Sequence, residues 1–235
     1  MPVGIARLTS VIAALAIASV VQAVAQVPPS PSEIASYTGL HAAAAAGNTE
    51  LIAKLIGGGA DANATDGNGR TPLHVAAFFS RYDAAQVLVS RGAAARAHDK
   101  QRYDIITIAA VKNDVRMVKL AIDLGADPKA VTSPYDGTAL IAAAHLGHDE
   151  VVNVLIKAGA PLDHINNLGW TALIESIVLG DGGQRHVECL KALLDAGANP
   201  NLADRNGVTP LRLAQARGYS RMVELIEKAG GHRAT

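Results

Sequence analysis

Apolar positions recur at helical spacing in short segments along most of this chain, and the segment from Gly69 to Gly92 shows the pattern clearly. Thr71 can cap a helix and Pro72 suits a first helical position, so a short helix is predicted to begin there. A polar break follows. A second apolar run then ends at Gly92, where glycine tolerates the left-handed conformation of a helix end. The pattern predicts two short helices joined by a tight turn.

This two-helix pattern recurs at a regular interval along the chain. A glycine closes each second apolar run, at positions 59, 92, 125, 159, 197 and 230, and only the interval between 159 and 197 is clearly longer than the others. A second marker keeps the same phase at the start of each first helix: Thr71-Pro72-Leu73-His74, Asp104-Ile105-Ile106-Thr107, Thr138-Ala139-Leu140-Ile141, Thr171-Ala172-Leu173-Ile174 and Thr209-Pro210-Leu211-Arg212. Self-similarity at a fixed period predicts a solenoid of stacked units.

The segment from Thr71 to Ala76 and the repeat period resemble the ankyrin family, and the resemblance covers residues 38–232. It implies an all-α fold, an ankyrin-repeat solenoid of about six stacked helix-loop-helix units with projecting β-turn or hairpin fingers and a concave groove. We assign the units to residues 38–66, 67–99, 100–132, 133–166, 167–204 and 205–235. The resemblance also implies a protein-binding scaffold or adaptor, since ankyrin arrays differ chiefly in what they bind.

Two units depart from the family pattern. The third has Arg102-Tyr103-Asp104 where the second has Gly69-Arg70-Thr71, so its turn lacks glycine and its capping residue is acidic. Aspartate can still cap a helix. The fifth unit carries five extra residues, 181–185, which we expect to form a longer loop between its two helices.

Residues 1–25 differ from the rest of the chain and predict a cleavable signal peptide. They carry one charge, Arg7, ahead of an apolar stretch that is short for a bilayer span of about 20 residues. Small residues at Ala23-Val24-Ala25 suit signal peptidase, so cleavage is expected before Gln26, with the product periplasmic or secreted. An uncleaved membrane anchor is the alternative. Residues 26–37, rich in proline and serine, are expected to form an extended linker that adds nothing to a core.

Composition argues against several classes of partner. The chain has 21 basic and 21 acidic residues and no long block of like charge, which argues against nucleic acid. No segment after residue 25 combines a basic face with an apolar face, so no membrane insertion is expected after cleavage. A single cysteine allows no intramolecular disulfide. We expect a monomer that binds a protein partner and needs no cofactor.

The eight histidines invite a metal or catalytic interpretation, but four of them occupy repeat positions where bonding within and between units is expected: His41, His74, His148 and His186. The chain is therefore interpreted as non-catalytic, with no metal. The alternative is a hydrolase or metal-dependent site near His145, His148 and the loop from Gly180 to Arg185. A further alternative is a secreted effector that binds a host protein.

The resemblance is closest to bacterial exported ankyrin-repeat proteins, some of which are linked with peroxide defence.

The few aromatic residues, 3% of the chain, predict where a partner binds. Tyr103, Tyr135 and Trp170 fall on three consecutive fingers, and exposed tyrosine and tryptophan are favoured at protein interfaces. In the alternative, each ring packs on the neighbouring finger and supports the stack. The predicted partner-binding residues are these three rings and the polar residues beside them: Arg102, Tyr103, Tyr135, Asp136, Asn166, Asn167 and Trp170.

Overall fold

The computed structural model of the chain describes residue 26 and residues 28–232, so the predicted signal peptide lies outside the described residues. Within them the chain forms thirteen α-helices and no strand: α1 Pro31–Ser36, α2 Gly39–Ala46, α3 Thr49–Gly57, α4 Pro72–Phe78, α5 Tyr82–Ser90, α6 Ile105–Val111, α7 Val115–Asp123, α8 Ala139–His145, α9 Asp149–Lys157, α10 Ala172–Val178, α11 Gln184–Asp195, α12 Pro210–Ala216 and α13 Ser220–Lys228. Of these helices, none is long and apolar enough to cross a membrane.

From α2 onwards the helices form six antiparallel pairs, which confirms the predicted solenoid. Within a pair the two helices pack on each other, and each first helix packs on the first helix of the next unit. Along the opposite side the second helices also pack on one another, α3 on α5, α7 on α9, α9 on α11 and α11 on α13. Between pairs the chain forms projecting turns, and the finger before α8 contains an isolated antiparallel bridge between Thr132 and Gly137.

Side-chain caps explain where the first helices begin. The Asp104 carboxylate accepts a hydrogen bond from the Thr107 backbone N–H at 2.8 Å, which confirms that an acidic residue caps this unit. Thr138 and Thr171 cap their helices in the same way, each at 3.3 Å. Each cap satisfies a backbone donor that the first turn leaves without a helical partner.

One continuous core runs through the stack. The third residue of each marker is buried between successive first helices, as with Leu73, Ile106, Leu140 and Leu173. Burying a side chain of this size contributes about 1.5–3 kcal/mol. Alanines fill many of the remaining inner positions, and their small size allows the short helices to approach closely.

The four repeat-position histidines join neighbouring units, as the sequence predicted. A ring N–H of each donates to a backbone carbonyl of an adjacent unit: His41 to Arg70 at 2.9 Å, His74 to Tyr103 at 3.1 Å, His148 to Ala110 at 2.8 Å and His186 to His145 at 3.0 Å. His74 also accepts a hydrogen bond from the Thr71 backbone N–H through Nδ1. Burial lowers the pKa of His74, consistent with a neutral ring that has one donating and one accepting nitrogen.

The proline-rich segment is not the extended linker that its composition suggested, because residues 31–36 form α1. Ser30 caps this helix: its hydroxyl accepts from the Glu33 N–H at 3.2 Å, and the Glu33 carboxylate accepts from the Ser30 N–H at 2.7 Å. This reciprocal pair is a capping box, and Pro31 is tolerated because the first helical position needs no N–H donor. Pro29 is buried, so the segment also contributes to packing.

Arg70 anchors α1 to the finger of the second unit. Its guanidinium is 3% exposed and pairs with both Glu33 and Asp66, the latter at 2.7 Å between Nε and Oδ2. The Tyr37 hydroxyl also donates to Asp66 Oδ2, at 2.8 Å. Burial would raise the pKa of Asp66, but hydrogen bonds from the Arg70 backbone and side chain outweigh it, and the pKa is lowered. Asp66 therefore carries a negative charge that Arg70 neutralises.

The five extra residues of the fifth unit lengthen a helix more than a loop. Residues 181–185 were expected to form a loop, but α11 begins at Gln184 and has 12 residues, whereas the other second helices have nine. Gly183 occupies the capping position, and its N–H donates to the Asp181 carboxylate at 2.8 Å. The loop is shorter than expected because this local turn lets residues 184 and 185 join α11.

The remaining loop packs against the next unit, and we expect Gly182→Ala to destabilise the protein more than Gly207→Ala. Both glycines have φ of +71°, so an added Cβ introduces comparable backbone strain of about 1–2 kcal/mol. At Gly182 the Cβ would also lie 2.5 Å from the Tyr219 ring, whereas at Gly207 it would meet no atom within 4 Å. The close contact adds about 1–3 kcal/mol. Urea unfolding of the two variants measures the difference, and equal losses would disprove the contact.

Candidate functional site

A pocket of about 280 Å³ opens on the face formed by the first helices and fingers of units three to five, which we call the groove pocket. Its walls come from α6, α8, α10 and the two fingers that precede α8 and α10, and residue 26 also lines it. The lining residues are Gln26, Tyr103, Thr107, Val111, Ser133, Tyr135, Gly137, Thr138, Ile141, Ala142, His145, Leu146, Asn166, Leu168 and Glu175.

Helix geometry places the pocket side chains together. On α6, Thr107 and Val111 are four residues apart and therefore share one face. On α8, Ile141 and His145 have the same spacing. Because successive first helices pack side by side, these faces form a continuous surface with Glu175 of α10.

Glu175 is the one acidic side chain among the lining residues, and it is 3% exposed. Its Oε1 accepts a hydrogen bond from Asn166 Nδ2 at 2.8 Å. Its Oε2 is buried and accepts no hydrogen bond from any described residue. His145 Nδ1 lies 3.3 Å from Oε2, and the imidazole is charged only when protonated. The pocket therefore contains a buried carboxylate oxygen without a permanent cationic partner.

Sequence reasoning missed Glu175, although the repeats contain a signal for it. The residue that follows each four-residue marker is apolar in the other five units and acidic only in the fifth. The equivalent positions are Ala42, Val75, Ile108, Ala142, Glu175 and Leu213. A carboxylate that replaces an apolar residue at a buried repeat position is costly unless it is paired, so a comparison position by position identifies it as a candidate site residue.

Tyr103 is not the exposed anchor that was predicted, because its side chain is 5% exposed and belongs to the core. Burial raises its pKa to about 12. The neighbouring Arg102 adopts φ of +67°, so the turn forms in the left-handed conformation without a glycine. The burial of Tyr103 favours the alternative for this residue, a ring that supports the stack.

The other predicted residues divide between the pocket and its surroundings. Tyr135 is half-buried and lines the pocket, whereas Trp170 is half-buried and lies outside the lining. Arg102 and Asp136 form an ion pair at 2.6 Å between half-exposed side chains. Asn167 is exposed, and its N–H donates to the Tyr135 carbonyl at 2.9 Å, which joins the two fingers.

Asn166 has a structural role as well as its place in the pocket. Its Oδ1 accepts hydrogen bonds from the backbone N–H groups of Leu168 and Trp170, both at 3.0 Å, and so shapes the finger. Its Nδ2 donates to Glu175. Asn166 therefore links the finger turn to the buried carboxylate and is 4% exposed.

Of the residues of the alternative metal or hydrolase site, His148 and Asp181 take part in structural hydrogen bonds. His148 donates to a backbone carbonyl, and His186 bonds both to Asp181, at 2.9 Å, and to the carbonyl of His145. No group of three or more histidine, cysteine, aspartate or glutamate side chains among the described residues could hold a metal ion. Burial raises the pKa of Cys189 to about 12, so its thiol is not an activated nucleophile.

Comparison with known proteins gives a consistent result. A family profile described as ankyrin repeats (3 copies) matches residues 106–204, and one described as ankyrin repeats (many copies) matches residues 40–89 and 183–226. The ankyrin repeat protein YahD of Escherichia coli strain K12 is 31% identical over 189 residues, which cover 80% of this chain and 94% of YahD. Three longer curated relatives are matched over only 12%, 21% and 42% of their length.

Solved structures agree. An ankyrin repeat domain from Acinetobacter baumannii AYE is 41% identical, with a TM-score of 0.78, and the match covers 82% of this chain and 98% of that one. The ankyrin repeat domain of Bcl-3, a member of the IkappaB protein family, is 25% identical with a TM-score of 0.76, and the match covers 84% and 88% of the two chains. With its repeats, its stacked helix pairs and these similarities, the chain belongs to the ankyrin-repeat family.

Proposed function

Ankyrin repeats generally serve as scaffolds for protein–protein interaction, and we propose that this protein is an exported, non-catalytic scaffold that binds a protein partner at the rim of the groove pocket. We define the rim as two pocket-lining side chains, Tyr135 and Leu146, together with four partly or fully exposed residues that lie within two positions of a lining residue along the chain: Arg102, Asp136, Asn167 and Trp170. The observation that carries the proposal is Leu146, a large apolar side chain that is 40% exposed where it lines the pocket beside Tyr135.

The rim combines the two kinds of contact that protein interfaces use. Leu146, Tyr135 and Trp170 offer apolar and aromatic area that a partner can bury, and such anchors contribute most of the binding energy. Arg102 and Asp136 offer opposite charges at the edge, where they influence specificity and association rate more than affinity.

Export is supported by the sequence of residues 1–25, with its single early charge, its short apolar stretch and its Ala-Val-Ala ending. Cleavage before Gln26 leaves all thirteen described helices in the mature chain. N-terminal sequencing of the natural protein, after cell fractionation, tests this step. Recovery of an intact Met1 or Pro2 terminus in the cytosol would refute export.

The mature chain is expected to capture a protein from the envelope or secreted fraction, identified by mass spectrometry, with an affinity that depends on the rim. Replacing both Tyr135 and Trp170 with alanine should weaken binding by more than about 30-fold, because truncation of one aromatic anchor commonly costs about 2 kcal/mol. Leu146→Ala should also weaken it. Titration calorimetry with the identified partner measures each affinity.

Leu51→Ala is the matched control for Leu146→Ala, since Leu51 is 38% exposed but lies on α3, away from the pocket. It should bind as well as the parent. If the two leucine variants bind equally well, or the double aromatic variant keeps full affinity, the partner site lies elsewhere on the solenoid.

A further inference from the structure

The chain's own N-terminal segment reaches the groove pocket. Gln26 lines the pocket and is 8% exposed, and the amide nitrogen of its side chain finds no acceptor among the described residues. Five residues later the chain enters α1 at Pro31, and Arg70 holds this helix in place through Glu33. The segment that precedes the repeats is therefore attached to the solenoid at α1 and also contacts the pocket at residue 26.

No lysine or arginine is among the described residues that line this pocket, and His145, whose Nδ1 lies 3.3 Å from Glu175 Oε2, is charged only when protonated. Glu175 Oε2 is buried without a hydrogen bond, and a carboxylate removed from water costs several kcal/mol unless a positive group compensates it. Oε1 already accepts from Asn166. Because only one oxygen is free, the site suits a compact ammonium group better than a planar guanidinium, which prefers to bind both oxygens.

Gln26 is also the residue at which cleavage would create an ammonium group. The sequence Ala23-Val24-Ala25 predicts that the peptide bond before Gln26 is hydrolysed. In that reaction water gives its hydroxyl to the new Ala25 carboxyl group and a hydrogen to the nitrogen of Gln26. A neutral amide nitrogen becomes an α-amine, which is largely protonated at pH 7 because its pKa is ordinarily about 7.7–8.0.

We propose that the amino terminus created by cleavage before Gln26 binds in the groove pocket, where its ammonium group pairs with Oε2 of Glu175. The proposal rests on the cleavage step of the proposed function. In the uncleaved chain residue 26 has no charge to offer, so processing completes the pocket. A partner at the rim then meets a pocket floor that the protein's own terminus has closed.

Thermal unfolding of four chains tests the pairing. The mature chain, residues 26–235, is released from a removable fusion directly before Gln26, and mass spectrometry verifies its free amine. The extended chain carries Gly-Ser-Gly before Gln26, which moves the amino group by up to about 10 Å. Each is made with Glu175 and with Glu175→Gln, a variant that keeps an acceptor for Asn166 but removes the charge.

With Glu175, the mature chain should melt about 4 °C above the extended chain, because a buried carboxylate gains its cation. With Glu175→Gln, the difference should fall below about 1 °C. Equal midpoints of the mature and extended chains with Glu175 would overturn the proposal and leave His145 as the partner. The same difference in both backgrounds would overturn it as well.

A crystal structure of the mature chain tests the proposal independently of whether Glu175→Gln folds. The Gln26 nitrogen should lie within about 4 Å of Glu175 Oε2, as in an ion pair. A terminus beyond about 6 Å would refute the pairing. Neither experiment involves a partner, and neither depends on export in the cell. The pairing of the amino terminus with Glu175 is therefore tested separately from export, which N-terminal sequencing tests, and from partner binding at the rim.

Discussion

Arg70→Ala is expected to lower the free energy of unfolding by about 3–5 kcal/mol, because it leaves two carboxylates without their cation. Arg70 is 3% exposed and lies between Glu33 and Asp66. The hydrogen bonds that lower the pKa of Asp66 come first from the Arg70 backbone and then from its side chain, so only the second set is lost. The variant should also release α1 from the finger of the second unit.

Arg102→Ala is the matched control for Arg70→Ala. It breaks an ion pair of similar length, Arg102 to Asp136 at 2.6 Å, but both side chains are about half exposed. Water and salt screen such a pair, and its loss should cost no more than about 1 kcal/mol. Chemical unfolding followed by circular dichroism measures both variants. Similar losses would show that the burial of Arg70 does not determine its contribution.

Lowering the pH should reveal how much the cluster of Arg70, Glu33 and Asp66 contributes to the free energy of unfolding. The pKa of Asp66 is lower in the folded chain than its ordinary value of 3.8. Its contribution to stability is therefore complete above the unfolded value and is lost as the pH falls through the folded value. Arg70→Ala should reduce this acid-dependent part of the free energy of unfolding, whereas Arg102→Ala should leave it unchanged.

Tyr103→Ala is expected to cost about 3–5 kcal/mol of stability, the usual range for truncating a large aromatic ring in a core. The ring is 5% exposed and packs within the continuous core of the stack. Truncation leaves a cavity that the short, closely packed helices cannot easily fill. Urea unfolding gives the loss directly.

Tyr135→Ala provides the comparison, since Tyr135 also lines the groove pocket but is half-buried. This variant should lose about 1 kcal/mol of its free energy of unfolding, as is typical when a partly exposed residue is replaced. The two tyrosines therefore separate stability from recognition: Tyr103 supports the fold, and Tyr135 is available to a partner. A Tyr103→Ala variant as stable as Tyr135→Ala would contradict the burial of its ring.

Repeat period, helix pairing and capping could all be predicted from the sequence, because they depend on residues close together in the chain. Thr71 with Pro72 predicts a helix start, and regularly spaced glycines predict helix ends. The aspartate cap at Asp104 and the joining role of His74 follow from the same local rules. Ser30 and Glu33 form a capping box that could have been recognised too.

Exposure could not be predicted, because it depends on what the adjacent unit places over a residue. Arg70, Tyr103 and Trp170 occupy the same repeat position, yet the first two are buried and the third is half-buried. In the second unit α1 supplies Glu33 to cover Arg70. Composition alone had suggested that residues 26–37, which include α1, form an extended linker that adds nothing to a core.

The groove pocket likewise combines a feature that the sequence shows with contacts that only the tertiary structure shows. The sequence contains its clearest signal, an acidic residue at Glu175 where five other units are apolar, but the meaning of that residue depends on distant groups. Only the tertiary structure brings Asn166, His145 and Gln26 to the same pocket as Glu175. The sequence by itself determined the repeating unit through local preferences for helix and turn. The stacking of units decided which side chains are buried, paired or left open to a partner, because those contacts join residues that are far apart in the chain.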